Sequence, residues 1–246
     1  MEPKEKPLEA PEASGRIIVA LDGLDWVTCR EIVVKLKDRP GAYKVHDLWD
    51  RQGPTVVNQL KGEGAGWVWV DMKLKDIPNT VKLRARAAAE SFANILTVHA
   101  SGGIEMMQAA LEGFHGFGDK VLAVTVLTSL SEEETHLLHG QPAKAAVLYQ
   151  ARLAKLAGVH GIVCSPQEVG ILAKRPELQG MKFVVPGIRP AGSAIGDQKR
   201  VDTPAAAIAA GVTHLVVGRP ITEATDPVAA FDAIAEEIAA AMAERG

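Results

Sequence analysis

Short runs of β-branched and aliphatic residues punctuate this chain: RIIVALD (16–22), AYKVH (42–46), GWVWVDMK (66–73), NILTVHA (94–100), KVLAVTVLT (120–128), HGIVCS (160–165), MKFVVPG (181–187) and THLVVG (213–218). Their nearly continuous apolar character is that of strands buried on both faces of a parallel sheet. Between them the apolar spacing becomes helical, as in WVTCREIVVKLK (26–37), TVVNQLKGEG (55–64), TVKLRARAAAESF (80–92), GIEMMQAALEGF (103–114) and AAVLYQARLAKLAG (145–158). The chain closes with a further amphipathic stretch, FDAIAEEIAAAMAER (231–245). Eight strands alternating with eight helices predict an α/β fold with parallel strands, and in 246 residues they predict a closed (β/α)8 TIM barrel of one domain. An open doubly wound sheet would carry a G-x-G-x-x-G turn after its first strand, which LDGLDWVTC (21–29) does not.

The barrel is expected over 16–246. Residues 1–15, MEPKEKPLEAPEASG, mix Pro, Glu and Lys without an apolar core and read as a disordered tail. Composition, at 47% hydrophobic and 23% charged, is that of a globular domain with a substantial core. A net charge of -3 offers no basic surface for nucleic acid or an anionic membrane, and no apolar run reaches the length of a membrane span. Cys29 and Cys164 are the only cysteines, too few for a disulfide framework, which suits a reducing cytoplasm.

Chemistry concentrates where the strands end. In DMKLKDIPNT (71–80) two carboxylates and two ammonium groups fall within six residues, directly after an apolar strand. Side chains two apart share a strand face, so Asp71 and Lys73 project together, and Asp76 follows where IPN turns the chain toward a helix starting near Asn79 or Thr80. Burying such a row costs about several kcal/mol per ion unless the geometry compensates. It is therefore either a working electrostatic site or a solvated ion-pair network. In a barrel the C-terminal strand ends converge on one mouth. Asp22 ends the first run, Lys44 lies in the second, Asp71 and Lys73 end the third, His99 the fourth and Thr128 the fifth. His99 reads better as a supporting core histidine than as a reacting group.

The loops after the last two strands are the barrel's usual phosphate loops. VVPGIRPAGSAIGDQKR (184–200) supplies Arg189 and Gln198, and VVGRPIT (216–222) supplies Gly218 for close backbone approach and Arg219 as a fork of donors. SLSEEETHLLHGQ (129–141) is a long polar connection, read as a lid over the mouth or as a short surface helix capped at its SEEE start. His136 and His139 have ligand-like spacing but no completing carboxylate or thiolate, and are read as solvated.

Together these segments resemble the orotidine 5'-phosphate decarboxylase family. The family pattern D-x-K-x-x-D-I-P-N-T is filled without gaps by Asp71, Lys73, Asp76, Ile77, Pro78, Asn79 and Thr80, and PGIRPAG, DQKR and VVGRPIT are almost as distinctive. LD at 21–22, the segment around Lys44, VHASGG (98–103) and VTVLTS (124–129) are similar too. Departures are Lys75, where bacterial members commonly have His, and His46, where Gly is frequent. The resemblance implies a lyase of pyrimidine (UMP) biosynthesis, acting on orotidine 5'-monophosphate as a homodimer without metal or organic cofactor. It makes Lys73 the proton donor to carbon 6, places Asp71 against the substrate carboxylate, and has Lys44 hold the network and a ribose hydroxyl. Asp22 would bind ribose, Thr128 would touch the substrate, Asp76 and Thr80 would enter the neighbouring subunit's site, and Arg189, Gln198, Gly218 and Arg219 would bind phosphate. Metal-dependent sugar-phosphate enzymes of the hexulose phosphate synthase type share the D-x-K-x-x-D core but lack the IPNT continuation. A non-catalytic nucleotide-binding barrel is the third reading.

Overall fold

A computed structural model describes residues 8–9, 12–116, 120–190 and 202–244. The strands are β1 (Ile17–Ala20), β2 (Ala42–Val45), β3 (Val68–Leu74), β4 (Ile95–His99), β5 (Lys120–Val124), β6 (Gly161–Val163), β7 (Lys182–Val185) and β8 (His214–Val217). Every neighbouring pair is parallel, and β8 returns to β1 to close the barrel. The helices are α1 (Trp26–Leu36), α2 (Asp47–Gln52), α3 (Thr55–Gly62), α4 (Pro78–Glu90), α5 (Ile104–Gly113), α6 (Glu132–His139), α7 (Ala143–Ala157), α8 (Pro166–Leu172), α9 (Pro204–Ala210), α10 (Arg219–Thr222) and α11 (Pro227–Ala243). The closed α/β barrel read from the sequence is thus present. Two of its connections and the segment after β8 carry two helices each, so the described residues hold more helices than the simple alternation predicts.

Period-two alternation sorts the strand residues into two cores. Ile18, Ala42, Trp69, Ile95, Leu122, Val184 and Val216 point inward and fill the barrel. Their neighbours Ile17, Val19, Tyr43, Val45, Val68, Val70, Leu96, Val121, Leu215 and Val217 point outward and pack under the helices. Leu8, 2% exposed, joins the inner cluster, and Glu9 pairs with Lys120 Nζ at 2.9 Å. These two residues of the stretch read as a tail are therefore docked against the strand beginnings.

Two local differences from the sequence reading affect the mouth. β5 stops at Val124, so Thr128 stands four residues beyond the strand rather than at its end. The polar connection at 129–141 is largely the helix α6, with a capping box in which Ser131 Oγ accepts from the N–H of Glu134 and Glu134 Oε2 accepts from the N–H of Ser131. That satisfies the short-helix alternative. His136 is exposed, His139 is half-buried with Nδ1 3.5 Å from Gln150 Nε2, and the described residues contain no group of three or more His, Cys, Asp or Glu side chains able to hold a metal ion.

Candidate active site

The barrel's C-terminal mouth opens into a cleft of about 610 Å³, and its walls include Asp22, Lys44, Asp71, Lys73, Thr128, Arg189, Gly218 and Arg219. The charged groups divide by strand. Those of the first three strands gather on one side, whereas Arg189 follows β7 and Arg219 opens α10 directly after β8. Gly187, at φ +79, makes the left-handed turn that carries the chain from β7 to Arg189, whose N–H donates to the carbonyl of Asp202 at 3.0 Å.

Asp71 is the hub. Its Oδ2 lies 2.7 Å from Lys73 Nζ and 3.3 Å from Lys44 Nζ, and Lys44 also donates to Asp22 Oδ2. Its Oδ1 accepts from Thr97 Oγ1 at 2.7 Å. Thr97 in turn accepts from the indole Nε1 of Trp69 at 2.6 Å, and Lys44 Nζ lies 5.9 Å from the Trp69 ring centroid. Beyond β1, Gly23 at φ +75 turns the chain and donates its N–H to Asp47 Oδ1 at 2.9 Å, which fixes the loop bearing Asp22.

Lys44 and Asp71 are each only 6% exposed, so their charges survive by pairing. Burial opposes the Lys44 ammonium, but Asp71 and Asp22 outweigh it and hold its pKa above the usual lysine value. Burial likewise opposes the Asp71 carboxylate, yet Lys44 and Lys73, with hydrogen bonds from Lys73 and Thr97, keep its pKa below the ordinary range. His99, half-buried at the end of β4, has its pKa lowered by burial and then by Lys75 and Lys73. It does not line the cleft.

Lys73 reaches Asp71 through an irregular backbone. The β3–β4 register shifts between Val70 and Leu74, and Lys73 adopts φ +48, a left-handed conformation that costs a non-glycine residue about 1–3 kcal/mol. Simple alternation anticipates that Asp71 and Lys73 meet, but it carries no sign of this bulge. Bulges of this kind re-aim side chains near active sites.

Besides His99, two described residues singled out from the sequence, Asp76 and Thr80, do not line the cleft. Asp76 is exposed, its Oδ1 accepting from the N–H of Ile77 at 2.7 Å, and it forms no ion pair with another described residue of the chain. Thr80 is half-buried on α4, away from the cleft lining. Gln198 lies outside the described residues. In the other direction, Thr97 and Trp69 touch the charged network but were not singled out from the sequence. The available signal was that Trp69 shares a strand face with Asp71.

A closed parallel barrel whose mouth gathers carboxylates and ammonium groups at the ends of its first three strands and arginines after its last two fits an enzyme for phosphorylated small molecules. Residues 15–234 match the model of the Orotidine 5'-phosphate decarboxylase / HUMPS family, and the chain belongs to that family. It is 46% identical over 232 residues to the orotidine 5'-phosphate decarboxylase of Halorhodospira halophila (strain DSM 244 / SL1), covering 92% of this chain and 97% of that protein. It is 47% identical over 224 residues to the protein of that name from Anaeromyxobacter dehalogenans (strain 2CP-1 / ATCC BAA-258), covering 90% and 97%. The crystal structure of orotidine 5'-phosphate decarboxylase from Lactobacillus acidophilus matches with a TM-score of 0.77 at 35% identity, over 95% of this chain and 99% of that one.

Proposed function

We infer that this chain decarboxylates orotidine 5'-monophosphate to uridine 5'-monophosphate and carbon dioxide in pyrimidine biosynthesis. The observation that carries this reading is Lys73 Nζ held 2.7 Å from the buried Asp71, in a cleft also lined by Arg189 and Arg219. The names of the relatives support it, and a cleft of about 610 Å³ is of nucleotide size.

Breaking the bond between carbon 6 and the carboxylate leaves an electron pair in the ring plane, where ring carbonyls cannot delocalise it well. A fixed cation beside carbon 6 is the remaining stabiliser, and Lys73 is such a cation. It then gives a proton from Nζ to carbon 6, which closes the reaction. Asp71 faces the departing carboxylate and, with Lys44, orients Lys73, while Lys44 and Asp22 meet the ribose hydroxyls. Thr128 contacts the substrate, and Arg189, Gln198, Gly218 and Arg219 receive the phosphate. Binding energy from that remote phosphate can hold the reacting carbon in place.

The reading extends to a homodimer in which Asp76 and Thr80 complete the partner's site. In support, residues 75–79 are exposed, Ile77 is 66% exposed, and Asp76 makes no ion pair with the described residues of its own chain. It also extends to a reaction without metal or organic cofactor, because Lys44 and Lys73 already occupy the space between the carboxylates that a cation would need. Residues 16–246 act as one catalytic domain. No helix of the described residues is long and apolar enough to cross a membrane. We place the enzyme in the cytoplasm, in keeping with two buried free cysteines, and assign it no nucleic-acid or membrane partner.

Absorbance of orotidine 5'-monophosphate, followed with product analysis in the presence and absence of chelator, tests this function. Conversion indifferent to chelator is expected. Folded protein that leaves the nucleotide intact would contradict it, and turnover of a hexulose phosphate with added divalent metal would then favour the sugar-phosphate branch of the family.

A further inference from the structure

Beneath the charged cluster lie two buried side chains, Trp69, which forms part of the cleft wall, and Thr97, which does not. Trp69 is 1% exposed and Thr97 fully buried, and the inner barrel around them is apolar, with Ile18, Ala42, Ile95 and Leu122. An indole N–H can only donate, so the 2.6 Å contact makes Thr97 Oγ1 the acceptor. A hydroxyl has one hydrogen, and the remaining contact of Thr97, at 2.7 Å to Asp71 Oδ1, takes it. An ionised carboxylate can only accept. The order Trp69, Thr97, Asp71 is therefore fixed in direction by the chemistry of its two ends.

This order decides which oxygen of Asp71 faces the lysines. The carboxylate torsion of aspartate is broad and roughly two-fold, so it needs an external fix. With Oδ1 tied to Thr97, Oδ2 is the oxygen that meets Lys73 and Lys44. We propose that Thr97 and Trp69 are positioning residues, a one-way hydrogen-bond relay that sets the rotation of Asp71 and through it the placement of Lys73. The proposal rests on the reading of Asp71 and Lys73 as the reacting pair. A misplacement near 1 Å at a reacting group can lower a rate about 100-fold.

The alternative is that Thr97 merely satisfies a buried indole. Steady-state kcat and KM for orotidine 5'-monophosphate, normalised to nucleotide-binding sites, separate the two in the parent, Thr97→Ser, Thr97→Val, Trp69→Phe and the Trp69→Phe/Thr97→Val double variant. Thr97→Val is expected to lower kcat about 10- to 100-fold with KM within about threefold, because a charge-assisted bond that orients the cluster is lost. Thr97→Ser should return kcat to within about threefold of the parent, since it restores the hydroxyl. Trp69→Phe should lower kcat by a smaller factor, and the double variant should fall no further than Thr97→Val, as expected of groups acting in series. A folded Thr97→Val with kcat within about twofold of the parent, a serine variant as slow as valine, or losses that multiply would each overturn the relay. Should Thr97→Val fail to fold, Trp69→Phe at the parent's kcat overturns it instead. An inactive parent would sink the decarboxylase reading itself, whereas an active parent with an indifferent Thr97→Val sinks the relay alone.

Discussion

At the C-terminal mouth of the barrel Lys44 and Asp71, each 6% exposed, remain charged by pairing with each other and with Asp22 and Lys73. At the N-terminal mouth His214 is as deeply buried, at 3% exposed, but burial, followed by Lys182 and Arg16, pushes its pKa down to about 3, so it stays neutral. There Leu8 seals the inner core, and Glu9 reaches Lys120 at 2.9 Å and Lys182 at 3.8 Å. The same barrel thus holds buried paired charge at one end, and at the other an apolar plug and a neutral buried imidazole with its ion pairs nearer the surface. Compensated charge of that kind is weak evidence for stability, so its retention at the mouth where barrel enzymes bind substrate points to chemistry.

The sharpest way to break this comparison is Lys73→Ala, expected to lower kcat/KM by ~10^4-fold or more because it would remove both the proposed acid and the fixed cation. Thermal melting of the same variant should change little, since Lys73 is about one-third exposed, with a side-chain exposure of 35%, and Lys44 still pairs with Asp71. Arg219→Ala should raise KM on the order of 100-fold through loss of the proposed charged phosphate contact, with the fold intact by circular dichroism. Leu8→Ala should do the reverse. It should lower stability to urea by about 2–3 kcal/mol and leave kcat/KM at the parent's value.

The smallest effect concerns pH and separates the two mouths again. His214 binds a proton more readily unfolded than folded, so its contribution is complete above about pH 6.5 and declines below it by at most ~1.4 kcal/mol per pH unit. Asp71, with a lowered pKa, contributes fully above the ordinary carboxylate value and loses that contribution as the pH falls from there through its lowered value. Lys44, with a raised pKa, contributes fully below the ordinary lysine value and loses that contribution as the pH rises from there through its raised value. Urea titrations between about pH 7 and 5 should therefore show an acid loss that His214→Gln diminishes. An unchanged loss in that variant would place the sensitivity elsewhere.

The strands and their order were legible because buried parallel strands leave continuous apolar runs, and the polar ends of those runs disclosed Asp22, Lys44, Asp71 and Lys73. What sequence alone could not supply was register. Thr97 meets Asp71 because β3 and β4 pair Trp69 with Ile95 and Val70 with Leu96, and nothing in DMKLK announces the register shift that follows or that Lys73 takes φ +48. The docking of Leu8 was hidden for a similar reason, since a lone leucine among Pro, Glu and Lys has no periodicity to reveal a buried face. Thr128 was misplaced at a strand end because VTVLT continues the apolar run after the ladder has stopped at Val124.

Mixing two inactive variants tests the account most directly. Lys73→Ala and Asp76→Ala chains, each purified alone, are unfolded together, refolded and assayed on orotidine 5'-monophosphate. If Lys73 of one chain works with Asp76 of the other, every mixed dimer contains one intact site, and about a quarter of the parent's activity returns. A refolded mixture as inactive as its two components would contradict a decarboxylase whose charged cluster is completed across two chains.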